Sequence, residues 1–251
     1  EVDADGDADD ADGDAETNDG ADEAEVVTPG RVSDGLVFLY TFSERAGNQV
    51  ANVAAEGTGD TRLDLVGNGD LPWLGTRNDI AFNATPPLTA RDSAALYEIH
   101  ASWTSMTLEF WGRADSTSNV CTNSCRIVTA AHDTGTHNFT LGHLDDMLRV
   151  RFTNSAGVQE RNDVGAFDGA LHHFVVVWTG TELVIYRDLV ERFRETLAFE
   201  PGSWQTDMPM TVGNRTPNDK PWTGELYLLA MYGRALDYGE IERNYYAGNA
   251  F

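Results

Sequence analysis

The sequence predicts an all-β domain, built as a sandwich or a barrel, and three observations point there. From Gly35 onward, short runs rich in Val, Phe, Tyr, Trp and Leu are separated by clusters of Gly, Asn and Asp, the pattern of strands joined by turns. Residues 147–152 alternate cleanly, with Leu148, Val150 and Phe152 on one face and Arg149 and Arg151 on the other, the period of a half-buried strand. The 251 residues are 41% hydrophobic and 10% aromatic, with six Trp, which supplies one large all-β core.

In chain order, strands are expected over 36–42, 107–111, 127–131, 138–141, 147–152, 173–178, 182–186 and 226–232. Thr179-Gly180-Thr181 is a turn that folds 174–178 and 183–186 into a hairpin. One helix is signalled, near the C-terminus. Asp237 can cap it, Glu240 follows at capping-box spacing, Leu236 and Ile241 are placed as a hydrophobic staple, and Tyr245 extends the apolar stripe. Gly248 can stop it after two to three turns.

The first 25 residues hold 13 of the 41 acidic residues and no Lys or Arg, leaving 28 acids against 17 bases in the remainder. Residues 1–30 therefore read as an acidic low-complexity tail or spacer that cannot bury enough apolar surface to order itself, and 31–251 as the folded domain. The net charge of −24 excludes nucleic acid as a partner, since phosphate contacts need clustered Lys and Arg. Alternating carboxylates at Asp3, Asp5, Asp7, Asp10, Asp12 and Asp14 are hard oxygen ligands for calcium. Starting an EF-hand loop at Asp3 puts Ala8 where Gly belongs, and starting at Asp10 puts Ala15 there, so cation binding in the tail is expected to be weak.

Cys121 and Cys125 sit in a polar loop and cannot form a four-ligand zinc site; a disulfide in an oxidising compartment is expected. No run of 18 apolar residues exists, so no transmembrane segment is expected. A chain opening at Glu1 in place of Met implies that a signal peptide has been removed.

Four stretches resemble domains of the LamG, concanavalin A-like kind. These are Gly35-Leu36-Val37 with Tyr40–Glu44 and Gly47; Thr107-Leu108-Glu109-Phe110-Trp111; His172–Trp178 with Gly180 and Leu183–Tyr186; and Trp222-x-Gly224-Glu225-Leu226 through Tyr232–Leu236 with Glu240-Ile241. Asn138–Gly142 and 221–226 are similar to LamG domains of exported bacterial surface proteins. The resemblance implies a two-sheet antiparallel jelly-roll sandwich, secreted or at a bacterial cell surface, binding carbohydrate or protein, often with structural calcium. Relatives carry an Asp-Glu pair in the closing strand where this chain has Tyr227 and Leu228.

The superfold also includes glucanases, which need paired carboxylates about 5–5.5 Å apart for retaining chemistry. No Glu-x-Asp-x-x-Glu strand exists, and Glu109 and Glu225 each stand alone, so no catalytic site is expected. Trp73, Trp103 and Trp204 lie in or beside loops and could face a sugar ring. His132 and His137 flank a loop that, with Asp133, could form a metal or sugar site. Asp145 and Asp146 are further candidate calcium ligands. His172 and His173 are adjacent in a strand, point to opposite faces and are read as structural. The expected function is a non-catalytic binding module; the alternative is a structural or self-assembling subunit whose tail is ordered by Ca2+ or a neighbouring chain.

Overall fold

The computed structural model describes residues 30–55, 61–74, 78–83, 86–100, 102–114, 123–133, 135–217 and 219–248. The tail carboxylates Asp3 to Asp14 and Cys121 lie outside the described residues.

Among the described residues, fifteen strands and two α-helices follow one another. They run β1 (Leu36–Tyr40), β2 (Gln49–Val50), β3 (Leu65–Val66), β4 (Ile80–Asn83), β5 (Leu88–Ala90), α1 (Ala94–His100), β6 (Met106–Arg113), β7 (Cys125–Ala131), β8 (His137–Leu144), β9 (Met147–Asn154), β10 (Gly157–Asp163), β11 (His172–Trp178), β12 (Glu182–Arg187), β13 (Val190–Thr196), β14 (Met210–Val212), β15 (Thr223–Tyr232) and α2 (Tyr238–Gly248). The strands form two sheets. One has the order β1-β15-β6-β11-β12-β13, with β4 also paired to β15; the other runs β10-β9-β8-β7-β14-β5-β3-β2. The described pairings are antiparallel.

Alternation decides which side chains meet between the sheets. On β11, Phe174, Val176 and Trp178 face inward, while Val175 and Val177 join a second cluster on the outer side. On β9 the inward residues are Leu148, Val150 and Phe152. Within the seven-stranded sheet Phe110 stacks on Phe174 at 4.6 Å, and across the two layers Phe152 meets Trp178 edge-on at 5.6 Å. The β11–β12 hairpin turns at Gly180, whose φ of +100° suits glycine. A Cβ there would lie 2.8 Å from Thr104 O.

The second cluster exists because α2 lies over the seven-stranded sheet. Ile241 and Leu236 are buried in it beside Trp111, Val175, Val177 and Tyr232. Asp237 and Glu240 form the expected reciprocal cap: Glu240 N donates to Asp237 Oδ1 at 2.9 Å, and Asp237 N donates to Glu240 Oε2 at 3.0 Å. The middle of this sheet's outer side is therefore covered by protein, while the edge strand β13 stays exposed. We call this the covered sheet and its partner the open sheet.

Candidate functional site

Beneath α2 lies a buried charge network. Glu109, on β6, is 0% exposed. Its Oε2 accepts from Arg31 Nη1 at 2.7 Å and from Asn244 Nδ2 at 2.8 Å, and its Oε1 pairs with His173 Nε2 at 2.8 Å. Burial pushes the Glu109 carboxyl up, but the charge of Arg31 and the bond to His173 outweigh it and hold the group at about 2. Asn244 also accepts from Val32 N and donates to the Tyr232 hydroxyl. Each Glu109 oxygen has a partner, so the network is structural cement. His172 turns the other way and bridges Asp168 and Asp188, as the alternation of strand side chains requires.

This placement separates the two carboxylates considered for catalysis. Glu109 pairs with Ala230 across the sheet, while Glu225 pairs with Arg113, four residues further along β6. Four strand residues set their backbones about 13 Å apart along β6, and each carboxylate is turned to partners of its own. Glu225 is also engaged, accepting from Arg113 at 2.7 Å and from the Tyr227 hydroxyl at 2.6 Å.

The open sheet presents a different outer face. Strand register lays Thr89, Thr211, Thr129, Thr140, Arg151 and Glu160 in one lateral row from β5 to β10. Arg126, Gly142 and Arg149 form the next row. The loop between β14 and β15 packs onto this face: Gly213 N donates to Ile127 O, Lys220 O accepts from Arg126 N, and Thr211 Oγ1 donates to Asn214 O. A groove of about 640 Å³ opens there, lined by Asn68, Pro86, Thr89, Arg91, Thr216 and Pro217 among others. Its mixture of polar groups and proline rings resembles a small-ligand cleft in composition and size.

On the outer face of this sheet, towards β9, positive charges gather in a chain of opposite net sign. Arg126 is 2% exposed, Arg215 3% and Lys220 9%; the Arg149 and Arg151 side chains are each 13% exposed. Burial, then the charges of Arg151, Arg215 and Arg149, push the Arg126 guanidinium down to about 10. Lys220 is lowered by burial and by Arg126. Glu160 holds Arg149 at 3.1 Å and Arg151 at 2.6 Å, and Asp219 holds Arg215.

The residues singled out from sequence are scattered. Trp204 is 5% exposed, stacks on His100 at 5.6 Å and donates from Nε1 to Thr153 O. Trp103 meets the same His100 edge-on at 6.3 Å. Trp73 is half-buried, with Nε1 on Gly47 O at 3.0 Å. Two of the three thus pack around one histidine, and Trp204 offers no free ring face. His132 pairs with Asp207 at 3.2 Å. His137 lines a pocket of about 140 Å³ with Thr136, Asn138, Ser203 and Gln205; burial and the charges of Arg151 and Arg126 push it down to about 4. Asp133 accepts from the backbone of Gly135 and Thr136 at 2.7 Å each, which lowers its pKa and marks a loop cap. Asp145 and Asp146 shape the β8–β9 turn through their backbone oxygens, which accept from His143 and from Ala166 and Phe167. Among the described residues, no group of three or more His, Cys, Asp or Glu is placed to hold a metal. Cys125 opens β7 fully buried; its expected partner Cys121 is outside the described residues.

The arginine cluster was not singled out from sequence. Its signal was present in Arg149 and Arg151 on one strand face, but only strand register reveals that Arg126 shares that face and that a distant loop adds Arg215.

Comparison with known proteins bears on the fold. A family model for the concanavalin A-like lectin/glucanases superfamily matches residues 88–242. No curated protein matches the chain. Among solved structures, the binding domain of botulinum neurotoxin DC in complex with rat synaptotagmin II superposes with a TM-score of 0.63 at 12% identity, covering 87% of this chain and 53% of that one. A structure described as showing that cell entry of botulinum neurotoxin type C depends on two ganglioside molecules gives 0.60 at 13%, with 87% and 52% covered. The binding domain of Paraclostridial Mosquitocidal Protein 1 gives 0.56 at 13%, with 85% and 52% covered. The chain spans about half the length of these structures, and at such identities the likeness is one of fold. No helix among the described residues is long and apolar enough to cross a membrane.

Proposed function

Because this chain belongs to the concanavalin A-like lectin/glucanases superfamily, we propose that it is a non-catalytic, extracellular binding module that takes carbohydrate in the groove on the open sheet. The observation that carries this reading is the asymmetry of the two outer faces. On one, α2 covers the middle of the sheet over a network in which both Glu109 oxygens are bonded, while the other bears a groove of about 640 Å³ lined by polar and proline side chains. The solved structures of like fold add support: one is described with a protein partner and one with gangliosides. The separation of Glu109 from Glu225 argues against hydrolysis. Calorimetric titration of the full chain with neutral and acidic oligosaccharides tests the reading. Binding should weaken at least about tenfold in the double variant Asn68→Ala, Arg91→Ala, since the groove would lose its polar lining. Binding that persists undiminished moves the ligand elsewhere.

A second reading, a self-assembling subunit, is favoured by the 13 carboxylates within residues 1–25. Their mutual repulsion would be relieved by calcium. Calcium uptake residing in the tail, with a rise in mass by solution scattering, would favour assembly; equal uptake by a chain beginning at Val26 would remove that support. The Cys121–Cys125 disulfide belongs to the same extracellular reading. Free thiol found by alkylation of unreduced protein would refute it.

A further inference from the structure

The cation cluster is assembled by strand register and by the loop between β14 and β15. Arg126 and Arg149 flank Gly142 in one lateral row. A Cβ at Gly142 would lie 2.4 Å from Ser124 Oγ and 2.6 Å from Cys125 O, so only glycine lets Ser124, the residue that holds Arg126, pack this close against β8. Nη1 of Arg126 donates to Ser124 O at 2.9 Å and to Ser124 Oγ at 3.0 Å; no carboxylate bonds to it. Arg215 holds Asp219 through Nε and Nη2. Three donors remain buried with no acceptor: Arg126 Nε, Arg149 Nε and Arg215 Nη1. Arg126 and Arg215 are more than nine-tenths buried.

Glu160 and Asp219 serve Arg149 and Arg215, which leaves Arg126 as the guanidinium of the three with no carboxylate bonded to it; a buried guanidinium without a matching anion is strongly unfavourable unless a counter-charge arrives. A guanidinium fork matches the paired oxygens of a carboxylate, sulfate or phosphate. Arg215 directly precedes Thr216 and Pro217, which line the groove, so the loop that carries Arg215 joins the groove to the cluster, and a glycan longer than one sugar is needed to reach from one to the other. We infer that Arg126, Arg149 and Arg215 form an oxyanion site that receives the carboxylate or sulfate group of an acidic glycan held in the groove. The sugar part of this inference rests on the carbohydrate reading above; the oxyanion part does not.

Thermal unfolding of the full chain in sodium sulfate, against sodium chloride at equal ionic strength, tests the site. Sulfate at about ten times its dissociation constant should raise Tm by about 3–5 °C. The rise should vanish in Arg126→Met and remain in Arg194→Met, since Arg194 pairs with Glu182 and Glu191 away from the cluster. An equal rise in all three proteins overturns the site. Should Arg126→Met fail to fold, the wild-type arginine Nε–H resonances decide: those of Arg126 and Arg149 should move with sulfate and not with chloride, and no movement overturns the site. Oligosaccharides of glucuronate and of glucose separate the two parts. Arg126-dependent sulfate binding with both sugars silent keeps the oxyanion site and sinks the carbohydrate reading. Glucuronate binding that is unchanged in Arg126→Met keeps the carbohydrate reading and sinks the oxyanion site.

Discussion

Glu109 and Arg126 are both buried charges on outer sheet faces, at 0% and 2% exposure, yet their surroundings differ. Glu109 meets Arg31, His173 and Asn244 beneath α2, and both of its oxygens are bonded. Arg126 bonds to two atoms of Ser124 and otherwise feels chiefly three more arginines, with Asp219 offsetting them only in part. A buried charge whose partners come from its own chain is part of the scaffold. One whose nearest charges share its sign is held at an energetic cost by the rest of the fold and points outward to a ligand.

The comparison can be broken most directly at Glu109. Glu109→Gln leaves Arg31 buried without its carboxylate and should cost about 3–5 kcal/mol, read from urea denaturation followed by circular dichroism. A loss below about 1 kcal/mol would mean the network is not what holds α2 in place.

Acid should dissect the two faces in sequence. His137 is depressed in the fold, so its stabilisation is complete above its unfolded value of about 6.5 and is lost as pH falls through about 4. Glu109 is also depressed, so its stabilisation is complete above about 4.3 and is lost as pH falls through about 2, on the order of 3 kcal/mol. Stability measured against pH should therefore fall in two stages, and Glu109→Gln should flatten only the lower one. A single stage common to both proteins would contradict the assignment.

Asn244→Ala removes three hydrogen bonds that join the helix to Val32, Glu109 and Tyr232; we expect a loss of about 1–3 kcal/mol by the same denaturation. Asp237→Ala removes only the helix cap and should cost about 1 kcal/mol. Hydrogen exchange should then show α2 fraying at its first turn with β6 still protected. If β6 opens together with α2, the cap matters more than the network.

Much of the covered sheet was legible in the sequence because its strands are long and apolar on both sides. The hairpin at Thr179–Thr181, the strand around Glu109 and the capped C-terminal helix follow from period, turn chemistry and capping spacing. The short strands β2, β3, β4, β5 and β14 were not legible: two to four residues carry no period, and they are strands because of their neighbours. β10 and β13 were missed for another reason. They are polar edge strands closed by ion pairs such as Arg161 with Glu195 and Arg192 with Asp163, so they lack the apolar signature. The candidate site was the least legible part. The tryptophans drew attention as sugar platforms, whereas Trp204 is buried around His100. The arginines that form the cluster lie as far apart as Arg126 and Arg215, and no local pattern joins them.

The central claim is that one buried charge is scaffold and the other awaits a partner. Urea denaturation of Glu109→Gln and Arg126→Met beside the wild type, in chloride buffer without other anions, tests it most directly. The account predicts that Glu109→Gln loses at least about 3 kcal/mol, while Arg126→Met, which trades an uncompensated charge for an apolar chain of similar length, stays within about 1 kcal/mol of wild type or gains. Equal losses in the two variants would contradict it.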